Sequence, residues 1–180
     1  LYKLIGLKPD IVVYGKSLGN GYAISSIVGK KKYMKFANKT FLSSVAWTER
    51  VGFTAGVSVI DYFTKNNVSE HLIKMGKYIK EGWIYLAKKN NVLIEIGEIK
   101  TIPTFRFKYG NYNEKLYTVF TNLMLKKRYL ATNAVYLSHK HNLKDIKKYL
   151  NVLDQVFKEI GQILKDKKKI GKIKSRKYNY

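Results

Sequence analysis

The chain has 180 residues, no cysteine, and 35 Lys and Arg against 12 Asp and Glu, for a formal charge of +23. Its length allows one good core or two small ones, and the missing cysteine excludes disulfide frameworks, thiolate metal sites and cysteine nucleophiles, with a reducing compartment, the cytoplasm, as the simplest expectation. No apolar run approaches the roughly 20 residues that cross a bilayer, so a soluble protein is expected.

Ile11, Val12 and Val13 form a β-branched run between Pro9-Asp10 and Gly15, the pattern of a buried strand bounded by turn signals. Lys16 sits just past its end. Gly19, Asn20 and Gly21 tolerate positive φ and mark a turn, after which Ile24 to Val28 predicts a second strand. Lys30 to Ala37 suits a short helix, and Thr40 to Trp47 is an irregular segment rich in Ser and Thr. A helix is expected from Thr48 through Phe63, where Ala55, Gly56, Val57 and Ile60 mix small and apolar residues as close packing on a sheet requires. Asn66-Asn67 breaks it.

Leu72, Met75, Ile79, Trp83 and Leu86 recur at three- and four-residue steps, predicting a long amphipathic helix that ends near Asn90-Asn91. Strands follow at Val92 to Ile96 and Thr101 to Phe107, the latter at an edge or a strand start because it carries Pro103. Tyr117 to Lys127 predicts another helix, and Tyr129 to Leu137 a strand or extended link. Leu143, Ile146, Leu150, Leu153, Phe157, Ile160 and Leu164 mark the last helix, behind Asn142 as N-cap with Asp145 in the first turn. Such a stripe is a packing face. The pattern is α/β in an early part and α+β in a later part, changing near Lys65, with no internal repeat.

A lysine at the carboxyl end of a buried strand stands where α/β proteins place reactive groups, because the sheet fixes the backbone while the loop opens to ligand. A bare Gly-Lys pair says little in so lysine-rich a chain. The longer run Pro9-Asp10-Ile11-Val12-Val13-Tyr14-Gly15-Lys16-Ser17-Leu18-Gly19-Asn20-Gly21-Tyr22 is far more specific. It resembles the cofactor-lysine segment of class III, fold type I pyridoxal-phosphate aminotransferases, with Pro-Asp, a hydrophobic strand, Gly-Lys, and a Gly-x-Gly turn before a second strand. The run Phe41-Leu42-Ser43-Ser44-Val45-Ala46-Trp47-Thr48-Glu49-Arg50-Val51-Gly52-Phe53-Thr54-Ala55 resembles the corresponding stretch of glutamate-1-semialdehyde aminomutase-like members, including aminotransferases of nucleotide-sugar and polysaccharide pathways. His139-Lys140-His141-Asn142-Leu143-Lys144-Asp145-Ile146 resembles the segment that opens the last helix of the small domain.

The resemblance, over roughly residues 5 to 165, implies an α/β fold in parts. Residues 1–64 would be the later part of the large cofactor-binding domain, mainly parallel sheet with helices, and residues 65–165 a small α+β C-terminal domain. Residues 166–180, with Lys167, Lys168 and Lys169, remain as a basic tail expected to be disordered. It also implies pyridoxal 5'-phosphate as cofactor, amino-acid and carbonyl small molecules as substrates, and a homodimer. Lys16 would carry the cofactor as a Schiff base and, once freed, move protons at the substrate Cα, for which its amine must be neutral, as burial and a neighbouring positive charge favour. Thr48 would correspond to the threonine that reaches across the dimer to the partner's cofactor phosphate, where a hydroxyl at a helix N-terminus suits an anion. Without the resemblance, Thr48 reads as a helix N-cap.

Family members also need an Asp at the pyridine nitrogen, an aromatic on the cofactor ring and a phosphate cup, all before the cofactor lysine. Only Leu1 to Gly15 precede Lys16, so none is assignable, and the chain is expected to be a fragment, inactive alone. Arg106 could meet a substrate carboxylate but reads better as a strand-surface residue. His139 and His141 have no carboxylate or cysteine set around them in sequence, and no metal is expected. Two other readings stand beside the aminotransferase: an intramolecular aminomutase, and a basic nucleic-acid-binding module. Against the latter, the lysines are scattered among Asn, Ile and Tyr as an AT-rich coding sequence would give, and the aromatics lie in presumed core elements.

Overall fold

The computed structural model describes residues 6–166, 170, 171, 173 and 174, in two compact units, Leu1–Asn67 and Val68–Tyr180. In the first unit, β1 (Ile11–Tyr14) pairs antiparallel with β2 (Ser26–Gly29), Val12 opposite Val28 and Val13 opposite Ile27. The fold class is α/β, and the two strands described in this unit run antiparallel. Residues 15–25 return the chain directly, and a parallel neighbour needs a crossover of about a dozen residues or more. β2 begins later than expected because Ile24 leaves the ladder to pack on a helix.

The Lys30 ammonium, 2.6 Å from Asp10 Oδ1, and the Lys30 N–H, 2.9 Å from the Asp10 carbonyl, close the hairpin's base. The hydrogen bond and charge of Asp10 hold that ammonium above the usual lysine range. A one-turn α1 (Lys31–Met34) follows, then the irregular segment, then α2 (Arg50–Lys65). Glu49, not Thr48, occupies the N-cap position of α2, in extended backbone and without a side-chain capping bond. The N-cap reading of Thr48 is thereby corrected.

The second unit builds a closed core. α3 (Val68–Lys89) packs on α5 (Leu143–Leu164), α4 (Asn113–Lys126) packs on α5, and the hairpin of β3 (Ile94–Ile96) and β4 (Phe105–Phe107) lies against α3 and α4. Phe105 is the hub: its ring stands edge-on to Trp83, Phe107, Phe120 and Phe157 at centroid distances of 5.0, 5.3, 5.3 and 6.0 Å. All five are buried, and aromatic pairs in this geometry add about 0.5–1.5 kcal/mol each beyond area burial. Pro103 precedes β4, and its carbonyl accepts from Val135 at 3.0 Å, so the segment after α4 touches the hairpin only through the Thr104–Ala134 bridge and its neighbours.

The helix ends follow local chemistry. Asn91 at φ 56° and Arg128 at φ 66° end α3 and α4 in left-handed backbone, with Val92 N–H returning to Ala87 O and Tyr129 N–H to Met124 O. Asn142 caps α5, its side-chain oxygen accepting from the Asp145 N–H at 3.0 Å. The basic tail lies mostly outside the described residues. Where it is described, Ile170 is buried and Lys115 Nζ donates to the Gly171 carbonyl at 2.7 Å. No described helix is long and apolar enough to cross a membrane.

Candidate active site

β1 ends at Tyr14, and Lys16 opens a 3-10 turn, Lys16–Leu18, whose N–H groups at Leu18 and Gly19 donate to Gly15 O and Lys16 O at 3.1 and 3.2 Å. Lys16 has φ 50°. Left-handed backbone is uncommon outside Gly and Asn, and holding a branched-off side chain there costs on the order of 1–3 kcal/mol, so it persists only where surrounding contacts impose it. Among described residues the other non-glycine positions with positive φ are Asn20, Asn67, Asn91 and Arg128. The lysine is thus presented by a strained turn.

That turn is locked from behind. Asn20 at φ 45° and Gly21 at φ 110° make the tight reversal, closed by Tyr22 N–H to Gly19 O at 3.1 Å. Gly19 itself lies at φ −93° and is glycine for another reason: a Cβ there would run into the Tyr22 carbonyl. α2 packs on the Lys16–Leu18 turn, and two buried glycines one helical turn apart face the 18–24 segment, Gly52 against Ala23 and Ile24 and Gly56 against Ile24 and Leu18. The sequence reading noted Gly56 but missed Gly52; two glycines four residues apart on one helix face were the available signal.

The Lys16 side chain is exposed and has no hydrogen bond or ion pair among the described residues. The burial expected around it is therefore not supplied within this unit. Thr48 is exposed as well, in a pair of turns, Trp47 N–H to Ser44 O and Glu49 N–H to Ala46 O, each 3.2 Å, that lead into α2. The first turn of α2 contains no acidic residue and no side-chain cap, leaving partly positive N–H groups beside Thr48. A cavity of about 990 Å³, mainly apolar, opens among β2, α1, the 40–47 segment and the start of α2, with Tyr33, Phe36, Trp47 and Phe53 in its walls. Neither Lys16 nor Thr48 lines it.

Arg106 lies on the exposed face of β4, where its Nη2 meets Glu95 Oε2 at 2.9 Å directly across the hairpin. Each holds the other's charge, Glu95 below the usual carboxylate range and Arg106 above its own, so Arg106 is a strand-surface partner. The three histidines converge: His71 and His139 rings meet edge-to-face at 4.8 Å, His71 Nε2 lies 2.8 Å from the His141 carbonyl, and His141 Nδ1 accepts from the Ser138 N–H at 3.0 Å. These contacts join α3 to the turn before α5.

No family model matches the chain. Individual relatives do. The 3-aminobutyryl-CoA aminotransferase of Cloacimonas acidaminovorans is 24% identical over 167 residues, covering 90% of this chain and 40% of the relative. The glutamate-1-semialdehyde 2,1-aminomutase of Fusobacterium nucleatum is 25% identical over 178 residues, covering 89% and 41%. The relatives that match this chain include aminotransferases and glutamate-1-semialdehyde aminomutases. Among solved structures, the pyridoxal-phosphate internal aldimine form of the Sphingopyxis FumI protein superimposes with a TM-score of 0.83 at 20% identity, covering 92% of this chain and 40% of that one. The fold is that of the fold type I transaminases, and the chain spans about 40% of the length of the relatives it matches.

Proposed function

We propose that the protein carrying this chain is a pyridoxal-phosphate-dependent aminotransferase, moving an amino group between an amino acid and a carbonyl compound, with Lys16 holding the cofactor as a Schiff base. The observation that carries this reading is Lys16 itself. It stands at a strand end, in a left-handed turn locked by backbone bonds, with its amine exposed and unengaged among the described residues. Residues held in such backbone cluster at functional sites. The amine fits the task of condensing with an aldehyde, and once released it is placed to take and return a proton at the substrate Cα. The cofactor, when bound, supplies the electron sink that makes that proton removable.

Thr48 is proposed to serve the cofactor phosphate of the other subunit in a homodimer. Its exposure and its place beside the uncapped first turn of α2 support a contact outward from the unit. The activity belongs to the whole protein, not to these 180 residues, which span about 40% of the relatives' length; the cytoplasm is the proposed compartment, supported by the absence of cysteine. A second reading, an intramolecular amine transfer of the glutamate-1-semialdehyde 2,1-aminomutase type, is favoured by the relative of that name.

The test is borohydride trapping. The full-length protein is mixed with pyridoxal phosphate, reduced, digested and mapped by mass. Attachment at Lys16, lost in Lys16→Ala, is the expected result; attachment spread over surface lysines with none at Lys16 would sink the proposal. Turnover that requires a second, amino-accepting carbonyl compound separates the aminotransferase from the aminomutase.

A further inference from the structure

We infer that Gly52 is a positioning residue for Lys16: lacking a Cβ, it lets α2 seat directly on the 18–24 segment and so holds the turn that presents the lysine. The inference rests on Lys16 being the cofactor lysine. A Cβ on Gly52 would stand 2.6 Å from the Ala23 carbonyl oxygen and 3.3 Å from Ile24 Cβ. One turn along the same face, a Cβ on Gly56 would meet Ile24 Cδ1 at 3.5 Å, Leu18 O at 3.9 Å and Leu18 Cδ1 at 4.0 Å, all at ordinary contact distance. Ile24 thus lies along both glycines, and the two sites differ sharply: Gly56 has room for a methyl group and Gly52 has none.

The path from this seat to the lysine is short. Ala23 and Ile24 follow Tyr22, whose N–H is tied to Gly19 O; Gly19 N–H is tied to Lys16 O, and Leu18 N–H to Gly15 O. Among described residues of the first unit only Gly19, Gly52 and Gly56 are buried, and at Gly19 and Gly52 a Cβ would collide with backbone carbonyl oxygen. A left-handed lysine needs its surroundings to hold it. Pushing the 22–24 segment off α2 would slacken the chain of bonds that ends at Lys16 and let its backbone relax.

The experiment compares Gly52→Ala, Gly56→Ala and Ile24→Gly in the full-length protein. Both changes replace a glycine of α2 with a better helix former, so slower attachment in Gly52→Ala alone points to the collision at position 52. Two readouts are taken. One is the rate of borohydride-trapped pyridoxal phosphate attachment at Lys16 across pH, in which the amine condenses with the aldehyde, water leaves, and hydride from borohydride makes the bond permanent. The other is amide exchange at Gly19 and Tyr22. Gly52→Ala is expected to slow Lys16 attachment on the order of tenfold or more, since misplacement by about 1 Å can cost about a hundredfold. At every pH its rate should fall relative to the surface lysines of the same molecule, and both amides should exchange faster. Gly56→Ala should stay within about twofold of the parent, as a substitution that fits its site does.

Parent-like attachment at every pH in Gly52→Ala, with the amides exchanging faster, would overturn the inference and leave the glycine a packing residue only. Should Gly52→Ala lose α2 altogether, Ile24→Gly decides: it adds no atom yet removes the Ile24 Cβ that faces Gly52, and parent-like Lys16 attachment in it overturns the inference equally. If the parent itself attaches nothing at Lys16, the cofactor reading falls and takes the inference with it, an outcome distinct from the other two.

Discussion

The two units use apolar residues in opposite ways. From Val68 onward, Trp83, Phe105, Phe107, Phe120 and Phe157 are sealed from solvent, whereas in residues 6–67 Phe41 is 94% exposed, Val45 fully so, and the strand residues Val13 and Ile27 are half open. Both units are rich in Val, Ile and aromatics. The second therefore owns the burial that stabilises it. The first carries the near-continuous apolar strand pattern of a sheet covered on both faces, while its own residues cover neither, and its order comes from backbone bonds, glycine contacts and the Lys30–Asp10 pair.

The contrast can be broken most directly by native-state hydrogen exchange and limited proteolysis. Amides in the middle of α3, α4 and α5 should exchange slower than those of β1 and β2 by orders of magnitude, because local stability tracks buried apolar contact. Cleavage should begin within 40–48 and leave a resistant fragment from about residue 68. Equal protection in the two units would refute the comparison. Next in size is a pair of truncations: Phe105→Ala should cost about 3–5 kcal/mol in urea unfolding, and Phe41→Ala within about 0.5 kcal/mol.

A smaller effect sharpens the account of the core. Trp83 Nε1 donates to the Tyr149 hydroxyl at 2.9 Å; Tyr149 is partly exposed as a residue, but its hydroxyl points inward. Burial pushes its phenol above the usual tyrosine range, with the Trp83 hydrogen bond acting the other way. Above pH of about 10 the unfolded chain gives up this proton while the folded one keeps it, so stability should fall as pH rises toward the folded value. Tyr149→Phe should remove that alkaline loss while costing about 1–3 kcal/mol at neutral pH, because the Trp83 N–H is left unpaired. Urea midpoints on either side of pH 10 check both statements.

The smallest expected effect is at the α3–α5 seam. Lys89 and Asn90 donate to Asp154 at 2.5 and 2.9 Å and hold its carboxyl below the usual range. That stabilisation is present above the ordinary carboxylate pKa of about 3.9 and is lost as pH falls through the folded value. Asp154→Asn should flatten this part of the acid limb, and added salt should shrink the difference, since Lys89 is half exposed. An unchanged acid limb would show the pair to be surface decoration.

Legibility in sequence followed the range of the interactions. The last helix could be read from its apolar stripe and its Asn142 cap, and it runs Leu143–Leu164. α4 was read from Tyr117 and begins at Asn113, because its first turn offers neither a side-chain cap nor a clear stripe. Tyr129 to Leu137 has strand-like composition, yet its backbone meets the hairpin only beside Thr104. Lys16 was legible because its neighbours in sequence are also its neighbours in the turn.

By itself the sequence determined the periodic helices, the Asn breaks between them, the strand before Lys16 and the resemblance that assigns the lysine a role, since each depends on residues a few positions apart. Only the tertiary structure decided that Gly52 has no room for a methyl group, that Arg106 is spent on Glu95, that Thr48 stands outside the helix, and that Lys16 is left-handed and exposed. Those facts depend on which distant backbone atoms come within about 3 Å of one another, and no local period or propensity encodes such an approach.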